Sequence, residues 1–507
     1  MRKQTKIVIA TALLALGASF TSMAAAKNGT WVLEDDGWYC YDKNGDAWED
    51  EFCLSYGKEY YMGSDGLLVT NSWVEADGDY YYVGSKGAKT INDWRFVTPE
   101  DDEDAEEEWY YFDSAGKMVT GKIVVDNKTY YFDEDGKMLT GWVSYANKKA
   151  EVADGNDATA SLVYCDETGA RMANEWVNTF VPGTAEEDQA DAVLFWYYIK
   201  AKGAVQTGRN LDIDGRTYFF GEDGKMLSGW VAAIYADNDG KFDEYKKLGY
   251  QYSAEVISAY TNGVYYCGSA DQGWAKTDRW IKTWAPAAYY DADADVSQNW
   301  YYLAKSGKVY VPAATSASDA DKMTFADGSK VLGTNAFVCT GSDAVEVTLK
   351  KIDKKTYAFD ANGAMISGFV QVDAAQEMAE GMYYFGGADD GAMKTGSIVI
   401  EDEEGINYDF FFGKKNTTTG YKLGVGVTGA ASGELYNNGL IVTADGDEDY
   451  KEVQVAGKYF IVDEDGDIRT SKKQYKDEDG NVYLNTVNTT FETAEGNLKG
   501  SYGTSAE

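Results

Sequence analysis

The sequence predicts an all-β protein, a β-solenoid of stacked β-hairpins, on three observations. First, Trp109–Val143 states one phrase twice. Trp109-Tyr-Tyr-Phe-Asp-Ser-Ala-Gly116-Lys-Met-Val-Thr-Gly121 is followed by Tyr130-Tyr-Phe-Asp-Glu-Asp-Gly136-Lys-Met-Leu-Thr-Gly141-Trp-Val, which sets Gly116 and Gly136 20 residues apart. Self-similarity at a short fixed period is the signature of a repeat architecture. Second, Asp36-Gly37, Asp77-Gly78 and Asp214-Gly215 stand between aromatic and β-branched runs, the strongest short hairpin signal. Third, aromatics make up 15% of residues while prolines number only four, beside 54 glycines. That is too aromatic for disorder and fits many short strands with tight turns.

One unit reads as follows. Ile123-Val124-Val125 is a β-branched strand, Asp126-Asn127-Lys128 a turn, and Tyr130-Tyr131-Phe132 an aromatic strand. Asp133–Gly136 is a second turn, closed by the positive φ that Gly136 supplies, and Lys137-Met138-Leu139 leads out. A lone hairpin is marginal in water. Stacked hairpins cover one another's apolar faces.

Residues 1–26 read as a secretory signal. Arg2, Lys3 and Lys6 precede the apolar run Ile7–Phe20, and Ala24-Ala25-Ala26 is a small-residue cleavage site. No later stretch is apolar enough to span a bilayer, and Gly496–Glu507 shows no wall-sorting motif. Residues 27–311 are aromatic hairpin repeats with acidic loop insertions, 312–350 a degenerate region, 351–470 further repeats and 471–507 a polar tail. Gly45, Gly66, Gly87, Gly116, Gly136, Gly169, Gly203, Gly224, Gly273, Gly307, Gly363, Gly391 and Gly466 mark thirteen clear copies, and Gly328, Gly439 and Gly480 weaker ones. Insertions such as Ser144–Ala160, Asn178–Ala192 and Ala232–Thr261 are expected as outer loops. Residues 400–450 keep strand-like alternation without the motif, and order is expected to fade within 488–507.

Forty-six basic and 84 acidic side chains give a net charge of −38, and loss of the leader's three cations makes it −41. A phosphate backbone is repelled by such a surface, so nucleic acid is excluded as a partner. Histidine is absent, which removes Ser-His-Asp and Cys-His machinery and the usual zinc sets. Paired carboxylates alone would suffice for glycoside hydrolysis, but no segment outside the repeats is long enough for a catalytic domain. The reading is therefore non-enzymatic, without cofactor. Asp237–Gly240, Asp291–Asp295 and Asp463–Asp467 lack the glycine and glutamate spacing of an EF-hand. Turn chemistry explains them first and loose surface calcium second. Cys40, Cys53, Cys165, Cys267 and Cys339 cannot all pair within one chain. They read as buried hydrophobes, with a Cys40–Cys53 bridge left open.

Counting back from each turn glycine sorts the aromatic strand into two faces. Positions minus 6 (Tyr110, Tyr130, Tyr197, Tyr301) and minus 4 (Phe112, Phe132, Phe220) are apolar in nearly every copy and read as the shared core. Positions minus 7 and minus 5 point the other way. Minus 5 is usually Tyr, whereas minus 7 is Trp38, Trp109, Trp196 and Trp300 in four copies and Glu59 or Thr in others. A face that takes both Trp and Glu is partly wet. Aromatics there either hold a ligand, stacking on sugars or boxing a quaternary ammonium, or simply cover the next hairpin. A second Trp series follows the turn: Trp142 and Trp230 six residues on, and Trp73, Trp94, Trp176 and Trp280 seven on.

Gly141-Trp142-Val143 and Trp109-Tyr-Tyr-Phe-x-x-x-Gly116-Lys-Met-x-Thr-Gly121 resemble the choline-binding and cell-wall-binding repeats of Gram-positive surface proteins. They are also similar to the glucan-binding repeats of secreted glucosyltransferases and the receptor-binding repeats of large clostridial toxins. The resemblance runs from about Trp31 to Thr470 and is strongest in 109–143, 196–230 and 300–310. It implies a solenoid with ligands held between hairpins by Trp and Tyr. Transferred by motif, the ligand residues are Trp109, Tyr111, Tyr131, Trp142, Trp196, Tyr198, Trp230, Trp300 and Tyr302. The Gly-Trp pair survives only at 141–142 and 229–230; Lys122, Arg209, Phe369 and Ser397 fill that tryptophan's slot elsewhere. The implied function is a secreted, non-catalytic surface protein that binds a choline-bearing or other cell-wall polymer, or a glucan. The alternative is a structural surface, matrix or filament subunit.

Overall fold

The computed structural model describes residues 27–507, apart from 101, 103, 235–243, 249–262, 286–297, 311–320, 326–330, 333–335, 338–344, 361–362, 375–378, 402–404, 418–420, 471–473, 477–481, 487–489, 494–497 and 502–507. The leader, Cys339 and the aspartate runs at 237–240 and 291–295 lie outside the described residues. The chain divides into two compact units, one ending at Gln206 and one beginning at Thr207. The described residues are all-β, with no α-helix and only the 3-10 turns Thr159–Ser161 and Glu186–Asp191.

In the reference repeat, Gly121–Val125 pairs antiparallel with Lys128–Phe132, and Ile123 lies opposite Tyr130. Asp126 and Asn127 take φ of 49° and 63°, the two left-handed residues of a turn whose twist matches its strands. The Asp133 carboxylate then accepts the Lys137 N–H at 2.8 Å, and Leu139 N–H returns to the Tyr131 carbonyl at 2.8 Å. All thirteen turn glycines have φ between 60° and 90°. At Gly136 a methyl group would also strike the Met118 sulfur, so both strain and packing demand glycine there.

Consecutive repeats are joined through main chain. In eight copies the residue two past the turn glycine donates its N–H to the minus 7 carbonyl of the hairpin before. Met118 reaches Tyr80 (2.8 Å), Met138 reaches Trp109 (2.9 Å) and Arg171 reaches Thr129 (2.8 Å) in the first unit; Ala275 reaches Thr217 and Met393 reaches Thr356 (each 2.8 Å) in the second. These bonds need no particular side chain, which is why the copies diverge without losing the fold.

Side chains fill the space between hairpins by one rule. The first-strand residue opposite minus 5, here called the facing residue, touches its own minus 5 ring and the minus 6 and minus 4 rings of the next hairpin. Trp73 lies 5.7 Å from Tyr82, 4.7 Å from Tyr110 and 5.6 Å from Phe112. Trp280 lies 5.3 Å from Tyr302, 4.8 Å from Tyr357 and 5.7 Å from Phe359. Each such ring pair adds about 0.5–1.5 kcal/mol beyond the area it buries. The minus 4 rings Phe112, Phe132, Phe220 and Phe359 are fully buried.

Three expectations change. The minus 5 face is more enclosed than expected where it packs on the following hairpin: Tyr61, Tyr111 and Tyr131 are buried, whereas Tyr82, Tyr164, Tyr198 and Tyr302 stay half-buried. Burial pushes the Tyr61 phenol up to about 12. Solvent reaches the rim, at minus 7 and along the half-buried minus 5 tyrosines. Two insertions are not plain loops: 144–160 and 232–261 each add a third strand, Lys149–Val152 and Glu244–Lys247, to their hairpins. The alternating Lys149-Ala150-Glu151-Val152, entered through a turn at Asn147-Lys148 with φ of 52° and 70°, accounts for the first. In the polar tail, Gln474–Lys476, Val482–Thr486, Thr490–Thr493 and Leu498–Ser501 form a four-stranded sheet, although two of its strands fall where order was expected to fade.

Of the cysteines, Cys40 and Cys53 form a disulfide, while Cys165 and Cys267 are free and buried. Burial pushes the Cys165 thiol up to about 12 and Cys267 in the same direction, so both behave as hydrophobes.

Candidate ligand sites between hairpins

The facing residue and the minus 7 residue sit diagonally on one side of a hairpin, at its rim. In two hairpins where both are tryptophan, two indoles come together beside a tyrosine of the next hairpin. Trp94 lies 6.3 Å from Trp109, 5.0 Å from Tyr111 and 4.8 Å from Tyr130. Trp31 lies 6.5 Å from Trp38 and 5.3 Å from Tyr60. Trp109 is 44% exposed and Trp38 45%, against half-buried Trp94 and Trp31. Each trio therefore has an accessible rim and a fixed floor. Phe96, opposite Trp109, is also exposed, with ring centroids 5.1 Å apart. The Trp31 indole nitrogen is buried with no partner among the described residues.

Trp176 repeats the pairing with Trp196 at 6.3 Å and Tyr198 at 5.2 Å. Trp196 and Tyr198 are half-buried. Trp300 and Tyr302 are half-buried as well, but this site is engaged from within. The Trp300 N–H donates to Asp389 at 2.9 Å, and the Lys282 ammonium lies 5.9 Å from the Trp300 ring and 2.6 Å from the same carboxylate.

The Gly-Trp tryptophans behave differently. Trp142 and Trp230 are 4% and 1% exposed, and their N–H groups donate to the Phe180 and Trp284 carbonyls at 2.8 and 2.9 Å. The added strand explains this: Ala153 and Leu248 N–H groups bond the Trp142 and Trp230 carbonyls at 3.0 and 2.8 Å, closing over the rim. Tyr131 is sealed beneath Tyr145, 5.1 Å away. Of the nine residues expected from the motif, Tyr111, Tyr131, Trp142 and Trp230 are thus enclosed, while Trp109, Trp196, Tyr198, Trp300 and Tyr302 reach the rim. Four further tryptophans join these contacts without being among the nine: Trp31, Trp94 and Trp176 stand opposite minus 5, and Trp38 stands at minus 7. The sequence placed Trp38, Trp94 and Trp176 in its two tryptophan series but not in the transferred ligand set.

Elsewhere the molecule places its own cations against these rings. Lys89 lies 4.6 Å from the Phe52 ring and 5.1 Å from Tyr81, ion-paired to Glu59 at minus 7. Arg209, in a facing slot that lacks Trp, lies 5.7 Å from Phe219 and 5.5 Å from Tyr265. Lys122, in another, lies 5.9 Å from Tyr145. The spaces between these hairpins accept a positive charge on an aromatic surface.

The repeats are similar to those of known proteins. Residues 104–141 and 123–150 match the choline-binding repeat. A curated relative, glucosyltransferase-S of Streptococcus mutans, is 28% identical over 234 residues, which are 40% of this chain and 14% of that protein. Among solved structures, the choline-binding domain of CbpL from Streptococcus pneumoniae is 22% identical with a TM-score of 0.29, covering 48% of this chain and 96% of that one. The modular autolysin LytC of the same species is 16% identical with a TM-score of 0.33, covering 66% of this chain and 52% of that one. The chain thus spans about half the length of the autolysin and a seventh of the glucosyltransferase.

Proposed function

Because residues 104–150 carry choline-binding repeats, we propose that the protein is a secreted, non-catalytic binder of cell-wall polymer, held at the cell surface by its repeats. Its hairpins within 27–311 and 351–470 are read as turns of a β-solenoid. The observation that supports it most is the meeting of Trp94, Trp109 and Tyr130, matched by Trp31, Trp38 and Tyr60. In each trio two indoles and a phenol ring meet edge-on at the rim, and the outer indole, Trp109 or Trp38, leaves nearly half its surface to solvent. A quaternary ammonium there is attracted by each ring quadrupole, by about 0.5–2 kcal/mol per contact. The net charge of −38 draws cations in from a distance. Trp196, Tyr198, Trp300 and Tyr302 form the secondary rim sites. Tyr111, Tyr131, Trp142 and Trp230 support them from beneath.

The test is retention of residues 27–507 on purified cell walls, eluted with choline or with soluble glucan. Choline elution from wild type, lost in Trp94→Ala/Trp109→Ala, is the expected result. Elution by glucan alone shifts the ligand to a neutral sugar polymer at the same rings. Indifference to every wall fraction and glycan removes the proposal in favour of a structural surface subunit.

A further inference from the structure

Three cations in the second unit have no acidic partner among the described residues. Arg216 opens the strand Arg216–Phe220, Trp274 and Lys276 lie in the return segment of the next repeat, and Arg279 opens the strand Arg279–Thr283. Backbone bonds fix this arrangement. Trp274 bridges to Tyr218, Ala275 N–H donates to the Thr217 carbonyl, and Lys276 N–H to Tyr266, each at 2.8 Å. The Arg216 guanidinium lies 4.0 Å, and the Lys276 ammonium 3.7 Å, from the Trp274 ring centroid.

The partners of these groups matter. Lys117, Lys149, Lys225, Lys282, Lys394 and Lys451 each face a carboxylate. Among the described residues, Arg216, Lys276 and Arg279 make no such pair. Lys276 instead donates to the Gln272 carbonyl oxygen at 2.6 Å, and Arg279 to the Thr277 carbonyl at 3.3 Å. An aromatic ring holds a cation in place without cancelling its charge. Burial, then Arg279 and Arg216, lower the Lys276 pKa, opposed only by the buried Cys267. The spot is thus locally positive on a chain of net charge −38, and its charges are already positioned.

We propose that Arg216 and Lys276, both against the Trp274 ring, together with Arg279 three residues after Lys276, form a binding site for an oxyanion carried on a glycan, a uronate carboxylate or a phosphodiester. The guanidinium groups offer paired donors suited to either oxyanion, and the ammonium adds a point charge. The site is separate from the rim trios and does not depend on their ligand. It would let the chain hold a polymer by its negative groups as well as by any cationic ones.

The experiment measures binding of residues 27–507 to polygalacturonate, to a poly(glycerol phosphate) and to neutral dextran, at low and raised salt. Wild type should bind at least one anionic polymer, more weakly as salt rises, and should bind dextran no better when salt is lowered. Arg216→Gln/Arg279→Gln, both at exposed positions, should weaken that binding at least about tenfold. Arg216→Lys/Arg279→Lys should restore part of it. Trp94→Ala/Trp109→Ala should leave it unchanged, which separates this site from the choline proposal. Equal binding by wild type and the double Gln variant, or no binding to either anionic polymer, overturns the assignment.

Discussion

At the scale of single residues, the same aromatic type does two jobs, and position tells them apart. Trp109 stands at the open rim, and Trp142 is closed over by an added strand. Trp109→Ala should lower choline affinity about 5- to 30-fold, equivalent to about 1–2 kcal/mol, with little change in thermal midpoint. Trp142→Ala should do the reverse, costing about 3–5 kcal/mol of stability while leaving rim-site affinity largely intact. Equilibrium dialysis and thermal denaturation of the two variants check both. The buried phenols give a second readout. Tyr61 and Tyr301 are pushed up to about 12, chiefly by burial. Their neutral forms are favoured in the folded state, so the stability they contribute is complete below the ordinary tyrosine range and is lost as pH rises toward 12. Tyrosinate absorbance should show a late class of phenols that ionises together with unfolding. The sequence showed that minus 6 and minus 4 are core. It could not show that the minus 5 rings Tyr61, Tyr111 and Tyr131 are buried too, because one strand's alternation does not reveal what lies on its second face.

At the scale of the hairpin, the turn glycine and the methionine of the preceding repeat form one joint. Gly136→Ala forces a side chain into left-handed backbone and into the Met118 sulfur. It should cost about 1–3 kcal/mol or somewhat more. Hydrogen exchange should place the loss in the hairpins flanking 136, with distant repeats keeping their protection. Uniform loss across the chain would contradict a fold built from neighbour contacts. Turn chemistry was fully legible in sequence, as Asp-Gly and Asp-x-x-Gly behave as their residues dictate. The added strands were not. Lys149–Val152 is four residues inside an Asp- and Ala-rich insertion, and its pairing depends on a partner edge that the sequence does not announce.

At the scale of the molecule, the Cys40–Cys53 disulfide ties together the first two hairpins. Closing a loop of 13 residues is worth about 3 kcal/mol in the chain-entropy account. Cys40→Ser/Cys53→Ser should therefore loosen the amino-terminal hairpins alone, seen as early exchange or proteolysis there, with the second unit unaffected. The overall repeat content was readable from glycine spacing. The aromatic trios were not, because they join a residue of one copy to rings of the next, and the motif spells out only one copy at a time.

Most joints between copies are made by peptide groups, through the N–H two past a turn glycine and the carbonyl seven before the previous one. Such a joint has no lock-and-key identity. A duplicated or deleted copy meets its new neighbours with the same donors and acceptors as the old. Ancestral chains of this kind are free to grow or shrink by whole modules, and each module can then exchange an indole for a lysine without renegotiating its place in the line.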